Sequence, residues 1–152
     1  MQYELLVFDL DFTLWDAGGT WCDQTIPPYR RINNHVQDGE NSIIRLYPEV
    51  TEILEKLTRS YPLGIASRTF QPDWAMELLK LFGIKKHFRY FEIYPDSKIR
   101  HFEQLQRKSG IPLNKMAFFD DEMRNIEQVG KLGVKTYFVR HGINKKMVSG
   151  FL

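Results

Sequence analysis

The sequence is short of the residues that define several large protein classes. A single cysteine, Cys22, among 152 residues leaves no internal disulfide framework to build on. No apolar stretch approaches the ~20 residues that span a bilayer, so no membrane segment is indicated. The four histidines, His35, His87, His101 and His141, show no paired ligand spacing with one another or with Cys22. They read as surface or internally satisfied polar side chains, and zinc is disfavoured. Charge of one sign is also scarce: the net charge is +2, and basic runs such as Lys85-Lys86 and Lys145-Lys146 are short. A nucleic-acid partner would be announced by a dense basic stripe with interleaved aromatics, and none is present. The chain enters a strand-like run almost at once, without the basic, apolar and small-residue zones of a secretory leader. With one cysteine, a reducing cytoplasm is the expected setting.

What remains is ordinary globular composition, 43% hydrophobic and 26% charged. A chain of this length buries roughly two thirds of its unfolded surface, and one domain over residues 1–152 is expected. Leu5 to Phe8 form an apolar run that stops at Asp9 and Asp11. Residues 16–45 are irregular, with Pro27-Pro28 and an Asp38-Gly39 pair that reads as a hairpin turn. Val50, Ile53, Leu54 and Leu57 then repeat at helical spacing, predicting a helix over about 49–59 with Pro48 in its first turn. "LGIAS" (63–67) is a second short apolar run, followed by a helical pattern through Trp74, Leu78, Leu79 and Phe82. "YFEIY" ends at Pro95, a helix carrying Ile99, Phe102 and Leu105 stops at Gly110, and "KMAFF" runs into Asp120 and Asp121. One more helix, through Ile126, Val129 and Leu132 to Gly133, precedes a last strand over 134–139. Strands that alternate with helices predict a doubly wound α/β fold with a parallel sheet. Ligands in such folds bind outside the carboxyl ends of the strands.

Four polar segments fall at that rim: residues 9–13 (DLDFT), 67–69 (SRT), 97–98 (SK) and 120–122 (DDE). Taken singly they read as helix caps, a surface lysine and acidic first-turn residues. Jointly they gather more ionisable groups than capping needs. Two carboxylates at ~4 Å repel by about 4 kcal/mol at an effective dielectric of ~20, and a divalent cation would offset this. The oxygen-only donor set of Asp9 and Asp121 selects magnesium over zinc. A metal and Lys98 beside paired aspartates suit a phosphate group. Asp9 is then placed to attack phosphorus and form an aspartyl-phosphate, while Asp11 protonates the leaving oxygen and later deprotonates water.

These residues resemble the haloacid dehalogenase-like superfamily of phosphotransferases, whose four motifs occur here in order as residues 9–13, Ser67, Lys98 and Asp120-Asp121. The resemblance implies a three-layer Rossmann-like fold and magnesium. It also implies that Asp9 binds the metal as well as attacking, that the Asp11 carbonyl is a ligand, and that Asp121 is the nearer metal ligand with Asp120 in support. Ser67 and Lys98 are implied to hold phosphoryl oxygens, and Leu10 and Thr13 of the first motif are placed with them. An aspartate at position 11 points to phosphate ester hydrolysis. More narrowly, "VFDLDFTLW", "LYPEV", "ASRT", "FEIYPDSKIRHFEQL" and "FFDDEMRNI" are similar to the magnesium-dependent phosphatase family. That likeness implies phosphotyrosine in proteins, or sugar and fructosamine phosphates, as substrates. Arg68 belongs to the narrower pattern, as a bidentate contact to substrate or phosphate or as one half of a local salt bridge.

Residues 14–47 are too few for a helical cap domain and predict a short hairpin flap over an open site. Arg30, Arg31 and Trp21 lie in it, either meeting the substrate or forming a solvated arm with one anchoring aromatic. A receiver-like signalling domain or another phosphotransfer domain shares the donor set. In a receiver, however, the acidic pair precedes the phosphoacceptor and the lysine comes last, unlike the order here.

Overall fold

Leu5, Leu6, Val7 and Phe8 are all fully buried, which a strand achieves only when both of its faces are covered. They form β1 (Leu5–Phe8) in a computed structural model that describes residues 2–152. β1 pairs in parallel with β6 (Leu63–Ser67) on one side and β8 (Met116–Asp120) on the other. Outside these lie β7 (Tyr90–Ile93) and β9 (Lys135–Phe138), giving the order β7-β6-β1-β8-β9. Phe8 stands opposite Ile65 and Phe119, so three strands reach their carboxyl ends together.

The alternation along β1 separates two apolar layers. Leu6 and Phe8 pack with Val50, Ile53 and Leu54 of α1 (Val50–Leu57) and with Leu78 and Leu79 of α2 (Pro72–Leu81). Leu5 and Val7 face the other way, onto Phe102 and Leu105 of α3 (Lys98–Ser109) and Val129 of α4 (Met123–Gly130). The result is the expected three-layer α/β sandwich. α3 begins at Ser97, whose hydroxyl accepts the Arg100 N–H at 3.3 Å, and ends at Gly110 with φ +72°. Two boundaries differ from the expectation. Pro48 lies in the turn leading into α1, not in its first turn. α4 closes at Gly130, because Leu132 and Gly133 turn back onto the carbonyls of Val129 and Gly130.

The flap is more elaborate than the hairpin expected over residues 14–47. β2 (Trp15–Asp16), β3 (Arg30–Ile32), β4 (His35–Gln37) and β5 (Ile43–Leu46) form an antiparallel sheet of order β2-β5-β4-β3. Asp38-Gly39 is not a two-residue turn. It opens a longer connection in which Asp38 Oδ1 accepts the N–H groups of Glu40 and Ser42 while Oδ2 accepts that of Ile26. The tight reversal is instead at Asn33-Asn34, where Asn33 takes φ +56°. Among the described residues, no helix is long and apolar enough to cross a membrane.

Candidate active site

The strand order reverses between β1 and β8, and the crevice there opens at their carboxyl ends. Asp9 continues the ladder by one bond, its N–H reaching the Phe119 carbonyl at 3.0 Å. The chain then coils tightly. Thr13 and Leu14 donate to the Leu10 carbonyl, Phe12 adopts φ +63°, and its N–H meets the Trp15 carbonyl at 2.7 Å. This loop brings Asp11 beside Asp9. Ser67 arrives from the end of β6, Asp121 follows β8, and Lys98 opens α3. Asp9, Asp11, Ser67, Arg68, Lys98 and Asp121 line one open cavity of about 500 Å³.

Lys98 is only 1% exposed, so its ammonium must find its partners inside the protein. Nζ lies 3.0 Å from Asp9 Oδ1 and 3.3 Å from Asp120 Oδ2, donates to the Ala66 carbonyl, and sits 5.2 Å from the centre of the Phe118 ring. Burial alone would lower its proton affinity, but the carboxylates of Asp9 and Asp120 more than reverse this and raise it. The aspartates show the opposite side of the imbalance. Burial pushes Asp9 up to about 7 against the pull of Lys98. Burial likewise pushes Asp11 up to about 7, although Trp15 and Cys22 donate to it. Asp120 and Asp121 rise to about 6, again mainly through burial. Four carboxylates share one buried ammonium, so the cluster lacks positive charge.

One carboxylate oxygen from each of Asp9, Asp120 and Asp121 lies within 4.8 Å of the others. This hard, all-oxygen set without His or Cys fits magnesium. Asp120 has both oxygens engaged: Oδ1 by the Glu122 N–H at 2.8 Å, and Oδ2 by Asn125 Nδ2 at 3.0 Å and Lys98. Asp121 lines the cavity while Asp120 is fully buried beneath it.

Against this geometry, the acid phosphatase family model matches residues 2–151. The chain belongs to the acid phosphatase family. It is 46% identical over 149 residues to magnesium-dependent phosphatase 1 of Homo sapiens, covering 96% of this chain and 83% of that protein. It is 34% identical over 161 residues to a HAD-like hydrolase superfamily protein of Schizosaccharomyces pombe, covering 97% of this chain and 91% of the relative. Among solved structures, a haloacid dehalogenase-like family hydrolase from Streptococcus pneumoniae superposes with a TM-score of 0.69 at 15% identity, over 99% of this chain and 91% of that one. A HAD family enzyme from Bacteroides thetaiotaomicron, in complex with magnesium and inorganic phosphate, gives 0.69 at 14% identity, over 93% of this chain and 96% of that one. The fold is that of the haloacid dehalogenase-like superfamily.

Several of the residues expected at the phosphate have contacts of their own within this acid phosphatase chain. Leu10 is wholly buried in the apolar cluster on the α1 and α2 face of the sheet, so only its main chain can serve a ligand. Thr13 is also fully buried, and its hydroxyl donates to Asp9 Oδ2 at 3.5 Å. Arg68 makes no ion pair among the described residues, contrary to the salt-bridge alternative. Its guanidinium reaches Asn125 Oδ1 at 3.5 Å on the cavity wall. Trp21 lines the cavity, whereas Arg30 bonds Gln37 and Arg31 bonds the Leu81 carbonyl, tying the flap to α2.

The structure also adds residues that were not singled out as site residues. Trp15 and the Cys22 N–H hold Asp11, Asn125 holds Asp120, and Phe70 stands exposed at the cavity mouth. Position within "DDEMRN" placed Asn125 one helical turn from Asp121, which is a signal for it; Phe70 carried none. His101 departs from the expectation for the histidines. It is fully buried, Nε2 pairs with the Tyr94 carbonyl at 3.0 Å, and Nδ1 has no partner.

Proposed function

We propose that the protein is a magnesium-dependent phosphatase that hydrolyses phosphate monoesters through an aspartyl-phosphate on Asp9. The observation that carries this reading is the convergence of Asp9, Asp11, Ser67, Lys98 and Asp121 on one open cavity. Asp9, Asp121 and the Asp11 carbonyl would hold the magnesium, with Asp120 in support. When bound, the ion neutralises charge on the phosphate and lets an anionic ester approach an anionic nucleophile. Ser67 and Lys98 bind the phosphoryl oxygens, and Lys98 also donates to Asp9 Oδ1 at 3.0 Å, restraining the carboxylate. Asp9 attacks phosphorus, and Asp11 gives its proton to the departing alcohol. Asp11 then takes a proton from the water that attacks the phospho-enzyme, and Asp9 is released.

The rim favours one substrate class over the other. Trp21 is 52% exposed and Phe70 is 73% exposed, and both border the cavity without a covering layer. Exposed aromatics at the mouth of a polar site suit stacking on an aryl group, so phosphotyrosine in proteins is favoured over sugar or fructosamine phosphates. Arg68 and Arg124 supply positive charge along the same rim. The buried thiol of Cys22 fits a reducing cytoplasm.

The decisive experiment is hydrolysis of p-nitrophenyl phosphate, phosphotyrosine peptides and sugar phosphates by wild type and Asp9→Asn, with and without magnesium. It is paired with acid-quench trapping of radiolabelled phosphate on the protein. Magnesium-dependent turnover and a trapped label, both lost in Asp9→Asn, are expected. Turnover that survives Asp9→Asn would remove the nucleophile assignment, and no hydrolysis of any ester in magnesium by the folded wild type would move phosphotransfer or receiver-like chemistry ahead.

A further inference from the structure

We propose that Trp15 is a positioning residue that assigns the transferable proton of Asp11 to its Oδ2 atom. The inference rests on the reading of Asp11 as the proton donor to the leaving group. Asp11 Oδ1 accepts two buried N–H bonds, from Trp15 Nε1 at 2.7 Å and from the Cys22 main chain at 2.9 Å. A carboxyl oxygen offers two in-plane lone-pair sites, and both are taken. An O–H group on that same atom would have to give up one of them. Oδ2, by contrast, accepts no N–H or O–H hydrogen bond among the described residues; the Cys22 thiol, a weak donor, lies against the Asp11 carboxyl and reaches Thr69 Oγ1 at 3.7 Å. The neutral acid therefore carries its proton on Oδ2.

This assignment matters because Asp11 lines the cavity with Asp9 and Lys98. As the bond between phosphorus and the ester oxygen breaks, the proton passes from Oδ2 to that oxygen, giving a neutral alcohol and an Asp11 carboxylate. In the second half-reaction the attacking water returns a proton to Oδ2. Trp15 is suited to fix this choice because it cannot move independently. It is fully buried in β2, pairs with Leu46 across the flap sheet, and packs on Phe82 at 6.0 Å between ring centres. An indole nitrogen is also donor only, so it never competes for the proton. The Cys22 N–H comes from the flap loop that carries Trp21, so the orientation of Asp11 is set from the flap and not from the parallel sheet.

Trp15→Phe removes the donor but also some packing volume. A second variant, with benzothienylalanine incorporated at position 15, replaces the N–H by sulfur and keeps the bicyclic shape. For both, kcat/KM is measured at fixed pH in saturating magnesium over aryl phosphates of rising leaving-group basicity, with Asp11→Asn alongside. Aryl oxides that depart readily as anions need little protonation, so p-nitrophenyl phosphate should lose less than about threefold, and phenyl phosphate at least about tenfold. One donor remains on Oδ1, so the loss stays below that of Asp11→Asn. A uniform loss across the series, or none, in the benzothienyl variant overturns the positioning role while a steepened series in Asp11→Asn leaves the acid–base reading standing. A flat series in Asp11→Asn overturns that reading and the role of Trp15 with it.

Discussion

The two sheets of this molecule are built by opposite rules. In the parallel sheet, every residue of β1, β6 and β8 is buried; in the flap, β3 is mostly exposed and β4 buries only its central Val36. Both regions serve the same cavity. The first supplies Asp9, Ser67 and Asp121 at its strand ends, and the flap supplies Trp21 to the cavity wall and Trp15 and the Cys22 N–H to Asp11. Groups that meet phosphorus and metal need fixed geometry, which a doubly covered sheet provides. Of the flap groups, Trp21 is exposed at the cavity mouth, whereas Trp15 and Cys22 are buried behind Asp11.

The contrast predicts where substitutions hurt most. Lys98→Met strands the buried carboxylates of Asp9 and Asp120, and should cost at least about a hundredfold in turnover and about 3–5 kcal/mol in stability without magnesium. Urea denaturation with steady-state kinetics measures both, and a fully active variant would contradict the central role of the ion pair. Phe8→Ala, between the ring of Phe119 at 5.0 Å and that of Phe88 at 6.3 Å, should cost about 3–5 kcal/mol.

A third test uses His101, which α3 buries beside Lys98. Burial, reinforced by Lys98, pulls its imidazole down to about 4 in the folded protein, below the unfolded value of about 6.5. Above pH ~6.5 neither state binds this proton, so the stability is complete. As pH falls toward 4 only the unfolded chain takes it up, and up to about 3 kcal/mol is lost. The difference between wild type and His101→Gln across pH 4–7 isolates this contribution from that of the aspartates, and parallel curves would refute it.

On the flap side, Phe70→Ala and Trp21→Ala should raise KM for phosphotyrosine peptides about five- to tenfold, corresponding to about 1–1.4 kcal/mol, and leave sugar phosphates unchanged. Equal losses on both substrates would end the stacking assignment. The smallest effect belongs to Arg31→Ala on the flap edge, within about 0.5 kcal/mol of wild type in thermal unfolding. A large loss there would show that the flap carries the fold and is not an attachment to it.

The pattern of apolar runs ending in Asp9, Ser67 and Asp120 made the parallel sheet and its active rim readable, because strand ends and polar residues coincide in sequence. The flap sheet was read only as a hairpin because its strands are two to four residues long, too short for period-two alternation to register. Lys98 and His101 look like the wet face of an amphipathic helix, yet both are buried; burial follows from which strand ends the helix lies over, and periodicity carries no such information.

The sequence by itself determined the alternating elements, the order of the four motifs and the oxygen-only donor set, since each is a property of residue types and near neighbours along the chain. Only the tertiary structure decided that Thr13 serves Asp9, that Asp120 lies beneath Asp121, and that Trp15 and Cys22 share one oxygen of Asp11. Those are matters of direction at hydrogen-bond range. A side chain's direction is settled by what packs behind it, and in this protein that packing comes from strands, helices and a flap distant from one another in sequence.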